Sequence, residues 1–511
     1  MDIVKVILQY VGMWLVIHAA FHMTQKLCTK SSNSTNYAAP PLHRFHSRPF
    51  NISWSTSVFN NDFVRVTHTF APNFWHAWFQ LGTCVTLCTM LVGTCIVIRS
   101  GCEILSIMYA HSHLIKSWVH LEKRNFRLLL HNEHSTLLPM IPGLTLPINH
   151  LHYYFVALLV GAMVHELGHG LCAGVHNLRL CHAGLFFSYI YPGAFISIAE
   201  ADLGMLDVWQ KLQIVCAGNW HNVVLFGICK MLNRVAIRWI WCHLGWQMLS
   251  DGVSVVNIHA SSPLAAHLKP GARIFQLDDV HLLHGTDDWR SFWNRDFATT
   301  PAQGFCALMG ATTSSDTSCC TFASDLPFGN SSDTTISCFQ NVSLGDIEVI
   351  QGECLNTLQT LASYTTMRCQ LDGDCLGNNT CVIPVTPSMY GQRVRIYTEN
   401  DGQELITSIY EGALRDVLDS VQVSNLYPKY PHLPKQLPHQ FNLLTSYTAT
   451  FSLALALMNS VPAFNLDGAS ILRKLLFNTQ KKLFTMITKI MSGLVLFVVI
   501  GSVFVLLLQD L

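Results

Sequence analysis

Charge is what this sequence has least of. Only 12% of its 511 residues are Asp, Glu, Lys or Arg, and 31 acidic side chains balance 31 basic ones. A nucleic-acid binder needs a basic footprint, so this balance excludes nucleic acid as a partner. Half of the residues are hydrophobic, which points to a membrane protein with some soluble mass attached and makes the lipid bilayer its first partner. C-x-x-C pairs are also missing from the polar stretch that holds Cys306, Cys319, Cys320, Cys338, Cys354, Cys369, Cys375 and Cys381. Zinc ligation is therefore the weaker reading there. An even number of cysteines among Ser, Thr, Asp and Gly reads as disulfides in an oxidising compartment.

What is present is apolar length. Runs long enough to cross a bilayer, roughly 20 residues each, lie at about 3–23, 77–98, 150–174, 211–232, 441–463 and 484–509. This gives a multi-span α-helical membrane protein of about six spans. Segments 101–115 and 236–250 are apolar but short and read as re-entrant pieces, interfacial segments or parts of bent hairpins. The first run lacks a small-residue cleavage site and is expected to be an anchor. Glycosylation sequons at Asn33, Asn51, Asn330, Asn341 and Asn378 fall in two polar loops and place both on the lumenal side. The expected order is an anchor at 1–23, a lumenal loop at 24–76, and a span with its connecting segment at 77–150. A membrane core follows in two halves, 151–250 and 441–511. They are separated by a β-rich lumenal domain at 251–440, with a disulfide-rich glycosylated insertion at 300–390. Within the first half, "AGLFFSYIYPGAFISI" carries Pro192-Gly193 between aromatic and β-branched runs, the pattern of a hairpin.

The chemistry is concentrated in one apolar run. "AMVHELGHGL" holds His165-Glu166-Leu167-Gly168-His169. On a helix, positions i and i+4 share a face, so both imidazoles can bind one metal, with Glu166 placed to take a proton from an activated water. A chance match in a chain with 25 histidines is expected at roughly two per cent. An unpaired charge at membrane depth costs about 2.5–3.5 kcal/mol even on the lenient insertion scale, and metal ligation would offset it. Ala157, Gly161, His165, Gly168 and Cys172 form a narrow stripe at helical spacing, which would let neighbouring helices approach closely. An open zinc site usually has three protein ligands, so a third is expected from a distant His, Asp or Glu. Asp467 in "MNSVPAFNLDGAS" is the best candidate, and an N-cap for a helix starting near Ala469 is its other reading.

The paired motifs resemble those of the site-two protease family of intramembrane zinc metalloproteases. That family joins H-E-x-x-H to N-x-x-P-x-x-x-L-D-G, which falls here on His165, Glu166, His169, Asn459, Pro462, Asp467 and Gly468. "CAGNWHNVV" offers its G-x-x-x-N element at Gly218 and Asn222. The resemblance implies one catalytic Zn2+ held by His165, His169 and Asp467, Glu166 as general base, and Asn459 on the substrate backbone or oxyanion. Asn222, Pro192 and Gly193 become candidates for substrate contact. It also implies the substrates: transmembrane segments of membrane-anchored transcription factor precursors of the ER and Golgi, cut after a first lumenal cleavage to free a cytosolic fragment. Residues 252–282 look like the first half of a PDZ domain, resuming near "GQRVRIYTENDGQELITSIY". The rival reading is a membrane zinc transporter or sensor without protease activity. Such a pathway should repeat its ligands along several helices, and the sequence has one cluster.

Overall fold

The computed structural model describes residues 10–23, 43–69, 72–116, 148–235, 239–259, 262–294, 304–307, 336–341, 352–361, 368–384, 392–400, 404–412, 414–430, 432–476 and 480–510. Asn33, Asn330, Cys319, Cys320 and the basic residues Lys123, Arg124 and Arg127 lie outside them. The chain divides into two compact units, one of residues 1–234 and 442–511 and one of residues 235–441.

The first unit is helical. Helix α1 covers Tyr10–Met23, β1 and β2 are His43–Arg48 and Asn51–Thr56, α2 is Asp62–Thr69 and α3 is Pro72–Lys116. Then come α4 (Leu151–Val175), β3 (Leu180–Ser188), β4 (Tyr191–Ile198) and α5 (Val208–Val235). After the second unit come α6 (Leu437–Ser460), α7 (Asp467–Leu475) and α8 (Lys481–Asp510). Five of these helices, α3, α4, α5, α6 and α8, are long and apolar enough to cross a membrane. The remaining expected run, 3–23, is described from Tyr10 onward as the apolar helix α1, Tyr10–Met23, and residues 3–9 lie outside those described. The two short segments differ from the expected re-entrant pieces. Residues 101–115 continue α3 without a break, because Arg99 and Glu103 bridge the junction at 2.9 Å and Gly101 lets α3 approach Leu494 on α8. Residues 239–250 form a helical turn and a strand, Trp246–Met248, paired with Leu426–Pro428.

Small residues and paired polar groups hold the bundle together, as expected where lipid removes the hydrophobic drive between helices. Gly161 of α4 receives Leu455 of α6, and Gly168 receives the Ala217 carbonyl of α5. All five residues of the small stripe are buried. Thr86 donates to the Cys216 carbonyl at 3.1 Å, and Asn233 donates to Ser446 at 3.1 Å. His150 pairs with the Tyr447 hydroxyl at 2.9 Å.

Strands β1 to β4 form one antiparallel sheet in the order β1-β2-β3-β4. The expected hairpin exists, but its turn is not at Pro192-Gly193. The chain reverses at Tyr189-Ile190, and Pro192 and Gly193 lie in β4 opposite Phe187 and Phe186. Tyr189 takes a left-handed backbone, φ 55°, as does Phe50 in the β1–β2 turn. That conformation costs a non-glycine residue about 1–2 kcal/mol. Partners offset it: Tyr189 N–H donates to the Phe50 carbonyl at 2.8 Å, and Trp14 of α1 donates to the Tyr189 carbonyl at 3.1 Å. Gly193 is needed for a different reason. The Phe186 ring lies across it, where a Cβ would collide. Residues 43–56, expected within a loop, thus add two strands to the hairpin. Asn51–Thr56 carries Ile52 and Trp54 between polar residues, and β2 pairs along its length with both β1 and β3.

In the second unit, strands from 253–258, 273–277, 392–400, 404–412 and 421–424 share one sheet. They close on Val253, Val255, Ile274, Leu277, Trp289, Phe292, Trp293 and Ile396. The intervening strands, 304–307, 336–341, 352–356, 368–369 and 380–384, make a separate five-stranded sheet. The buried guanidinium of Arg395 pairs with Asp279 at 2.8 Å and Asp278 at 3.3 Å and lies over the Phe305 ring. Asn378 is exposed in a turn, Asn341 ends its strand half-buried, and Asn51 starts β2. Cys306 bonds Cys375 and Cys369 bonds Cys381, and Cys338 and Cys354 are also disulfide-bonded. Removing the 306–375 bridge by paired Ser substitution should cost about 2–4 kcal/mol, read as faster limited proteolysis of this unit with unchanged metal content. Peptide maps taken after thiol blocking should contain both the 306–375 and the 369–381 linkages; free thiols at these four positions would overturn the pairing.

Candidate metal centre

Three donor atoms converge where α4, α5 and the α6–α7 turn meet. His165 and His169 project from one face of α4, four residues apart, with their Nε2 atoms 3.2 Å from each other. Asp467 Oδ2 lies 3.0 Å from His165 Nε2 and 3.6 Å from His169 Nε2. A tetrahedral zinc with ligand bonds of about 2.0–2.1 Å keeps neighbouring ligands about 3.3–3.4 Å apart. The observed triangle has that size. The donor chemistry fits too: two imidazoles and a carboxylate suit a divalent cation, and the site lies in a bundle of apolar helices.

Each donor is held by its surroundings. His169 Nδ1 donates to the Ile214 carbonyl at 2.7 Å, because a carbonyl can only accept. The lone pair of His169 is thereby kept on Nε2, facing the other donors. His165 Nδ1 lies 3.1 Å from the side-chain amide of buried Asn222. The atom placed there is the amide nitrogen, Nδ2; with the amide turned over, its oxygen, which has no other partner among the described residues, would accept the Nδ1 proton and leave the His165 Nε2 lone pair facing Asp467. Asn222 is thus fully buried behind His165. Asp467 begins α7, but the helix shows no side-chain cap, and its carboxylate turns to the histidines instead.

Pro462 and the left-handed Asn465, φ 63°, break the chain between α6 and α7. The Phe464 N–H released there is taken by Ser492 at 2.9 Å. Gly468 lies so close to the Ser460 and Val461 carbonyls that no Cβ fits. This brings Asp467 back against α4. Asn459, in the last turn of α6, is half-buried and makes no side-chain hydrogen bond among the described residues. His221 donates to the Ala217 carbonyl at 2.8 Å and packs on Phe79; it is a packing residue.

Glu166 is the next residue on α4. Its carboxylate lies in one cluster with the His165 and His169 nitrogens, all within 4.8 Å, and accepts the Ile196 backbone N–H of β4 at 3.1 Å. Ile196 carries no sequence signal for this role, because its contribution is a backbone group.

The profile of peptidase family M50 matches residues 153–502, about two thirds of the chain. This chain belongs to peptidase family M50. A curated relative, the "Membrane-bound transcription factor site-2 protease homolog" of Arabidopsis thaliana, is 28% identical over 158 residues, 30% of this chain and 29% of the relative. The chain therefore matches under a third of that relative's length. M50 proteins are membrane metalloproteases, and the matched region contains every donor described above.

Gly218 brings α5 directly against the donors of this M50 site. A Cβ there would lie 2.5 Å from His169 Nε2 and 2.6 Å from His165 Nε2, so only glycine lets α5 approach the donors. Gly218→Ala favours the helix by about 1 kcal/mol in propensity and should nonetheless lose bound metal and cleavage together. Metal analysis by mass spectrometry with a thermal melt tests this; full metal content in the variant would refute the close-approach argument.

Proposed function

We propose that the chain is a zinc endopeptidase that cuts membrane-spanning segments inside the bilayer. The convergence of His165, His169 and Asp467 at 3.0–3.6 Å, with Glu166 alongside, carries this reading. Those three side chains would hold one Zn2+, which when bound polarises a carbonyl and eases deprotonation of water. Glu166 takes the water proton as general base and returns it to the leaving amine. Asn459, free of other hydrogen bonds, steadies the substrate backbone or oxyanion. Asn222 fixes the His165 tautomer, which gives it a supporting part in place of substrate contact.

A membrane helix satisfies its own backbone and hides its carbonyls, so substrate must unwind before it is cut. The β4 edge offers a place for it as an added strand. Pro192 and Gly193 lie in that strand. The substrates are transmembrane segments of membrane-anchored transcription factor precursors of the ER and Golgi, cut after a first lumenal cleavage to release a cytosolic fragment. The name of the Arabidopsis relative and the motif resemblance support that choice. The second unit is the lumenal, glycosylated part. Its segments at 252–282 and 392–412 share a sheet, in keeping with a PDZ-like domain that inspects substrate.

Two outcomes test the proposal. Glu166→Gln keeps the ligands and loses the base, so it should bind zinc at wild-type stoichiometry and lose about 10²–10⁴-fold in turnover; near-normal turnover would sink the mechanism. Replacing helix-weakening Asn or Pro by Leu in a substrate span should slow cleavage, since Pro costs about 3 kcal/mol in a helix interior. Matched substrates cut at equal rates would remove the unwinding step.

A further inference from the structure

The open edge of β4 is interrupted at one rung. In an antiparallel sheet the backbone groups of successive residues point alternately to either side. Ile196 N–H points away from β3, because it is bonded to Glu166 Oε2 at 3.1 Å. By alternation, Ala194 and Ile198 present their N–H and C=O groups to the same open side, while Phe195 and Ser197 face β3. A strand added along this edge finds donors at Ala194 and Ile198 and none at Ile196, whose N–H is already taken.

We propose that this occupied rung sets the cleavage register. Resting on the peptidase reading above, the substrate carbonyl that would have accepted the Ile196 N–H is left without a backbone partner. A polar group held away from water needs a partner, and this carbonyl lies beside Glu166, which clusters with the His165 and His169 nitrogens within 4.8 Å. The unpaired carbonyl is therefore the one presented for attack. Ile196 is a positioning residue with two effects: it aims the Glu166 carboxylate, and it selects one substrate peptide bond among those docked. The sequence of the substrate enters only through how readily it unwinds, so the cut should fall at a fixed distance along the docked strand.

The phase of the ladder gives a test that holds for either strand direction. In both antiparallel and parallel pairing, the residue bearing the scissile carbonyl and the residue two before it turn their N–H groups to the edge, and the residue between them turns its N–H away. Synthetic transmembrane substrates with single amide-to-ester replacements are to be cut by the wild-type full chain in detergent. Esters at the first two positions should slow cleavage about three- to tenfold, and the ester between them should not. No alternation, or alternation in the opposite phase, would overturn the register.

Two variants separate the roles. Proline is tolerated on edge strands where its missing N–H faces outward. Ile196→Pro removes the bond to Glu166 and restores no donor; kcat should fall about tenfold or more and product termini, read by mass spectrometry, should spread over adjacent bonds. Ile198→Pro removes a rung used only by substrate; KM should rise about three- to tenfold with one cut site retained. Identical profiles for the two variants, or a single unshifted cut site with normal kcat in Ile196→Pro, would overturn the proposal. If Ile196→Pro loses its bound zinc and does not fold, the ester scan on the wild type decides. Glu166→Gln with undiminished turnover would instead sink the peptidase reading itself, which keeps the two failures apart.

Discussion

Every polar group at membrane depth must find a partner within the protein, because lipid offers none. That constraint organises the membrane unit of this chain more than any single packing contact. Asp467 alone would be a costly charge on the α6–α7 turn, and the two imidazoles of α4 would be two more unsatisfied groups. Brought together, they form one donor set for a divalent cation, and their outer atoms are taken up by the Ile214 carbonyl and the Asn222 amide. The closeness this requires explains the glycines. Gly168, Gly218 and Gly468 stand where a neighbouring carbonyl or imidazole occupies the space of a Cβ. A larger side chain at any of them would push a helix away from the donors.

The same constraint shapes the sheet. A hairpin in an apolar setting exposes two rows of backbone groups. On one side β2 covers β3, and β1 covers β2. On its other side β4 has no partner strand among the described residues; it lies against α4, and a side chain of that helix caps one of its outward amides. Trp14, Phe50, Phe187 and Tyr189 cluster at the hairpin tip, which fixes the far end of the hairpin. A strand edge without a partner strand is suited to pairing with another strand.

The donors were legible because metal chemistry constrains residue type and spacing together: His165 and His169 four apart on one run, and Asp467 after a proline-broken one. The helices were legible through length and hydropathy. The turn of the hairpin was not. Local propensity favours Pro192-Gly193, whereas the chain reverses at Tyr189, whose left-handed backbone is held by Phe50 and by Trp14, residues more than a hundred positions away. Strands β1 and β2 were missed for a related reason: short polar segments with few apolar residues are weak signals until a partner edge is known. The single helix over 72–116 escaped because Arg99 and Ser100 interrupt the apolar run, while the helix continues past them and Leu494 packs at Gly101. In each case long-range packing overrode the local signal.

Backbone roles are the deepest blind spot of sequence reading, and here they bear directly on chemistry. Ile196 and Ile214 are apolar residues in apolar surroundings, yet an Ile196 N–H and an Ile214 carbonyl orient the proton acceptor and one donor imidazole. A non-proline substitution at either position keeps the backbone group itself, so the residue type carries no signal of this role while the backbone is fixed by the sheet and the helix. The restraint on them is geometric: β4 must run past Glu166 at hydrogen-bonding distance, and α5 must present Ile214 to His169. A rigid strand edge and a glycine-tightened helix contact meet that requirement with few polar side chains, which is the economy that a low-charge membrane chain demands.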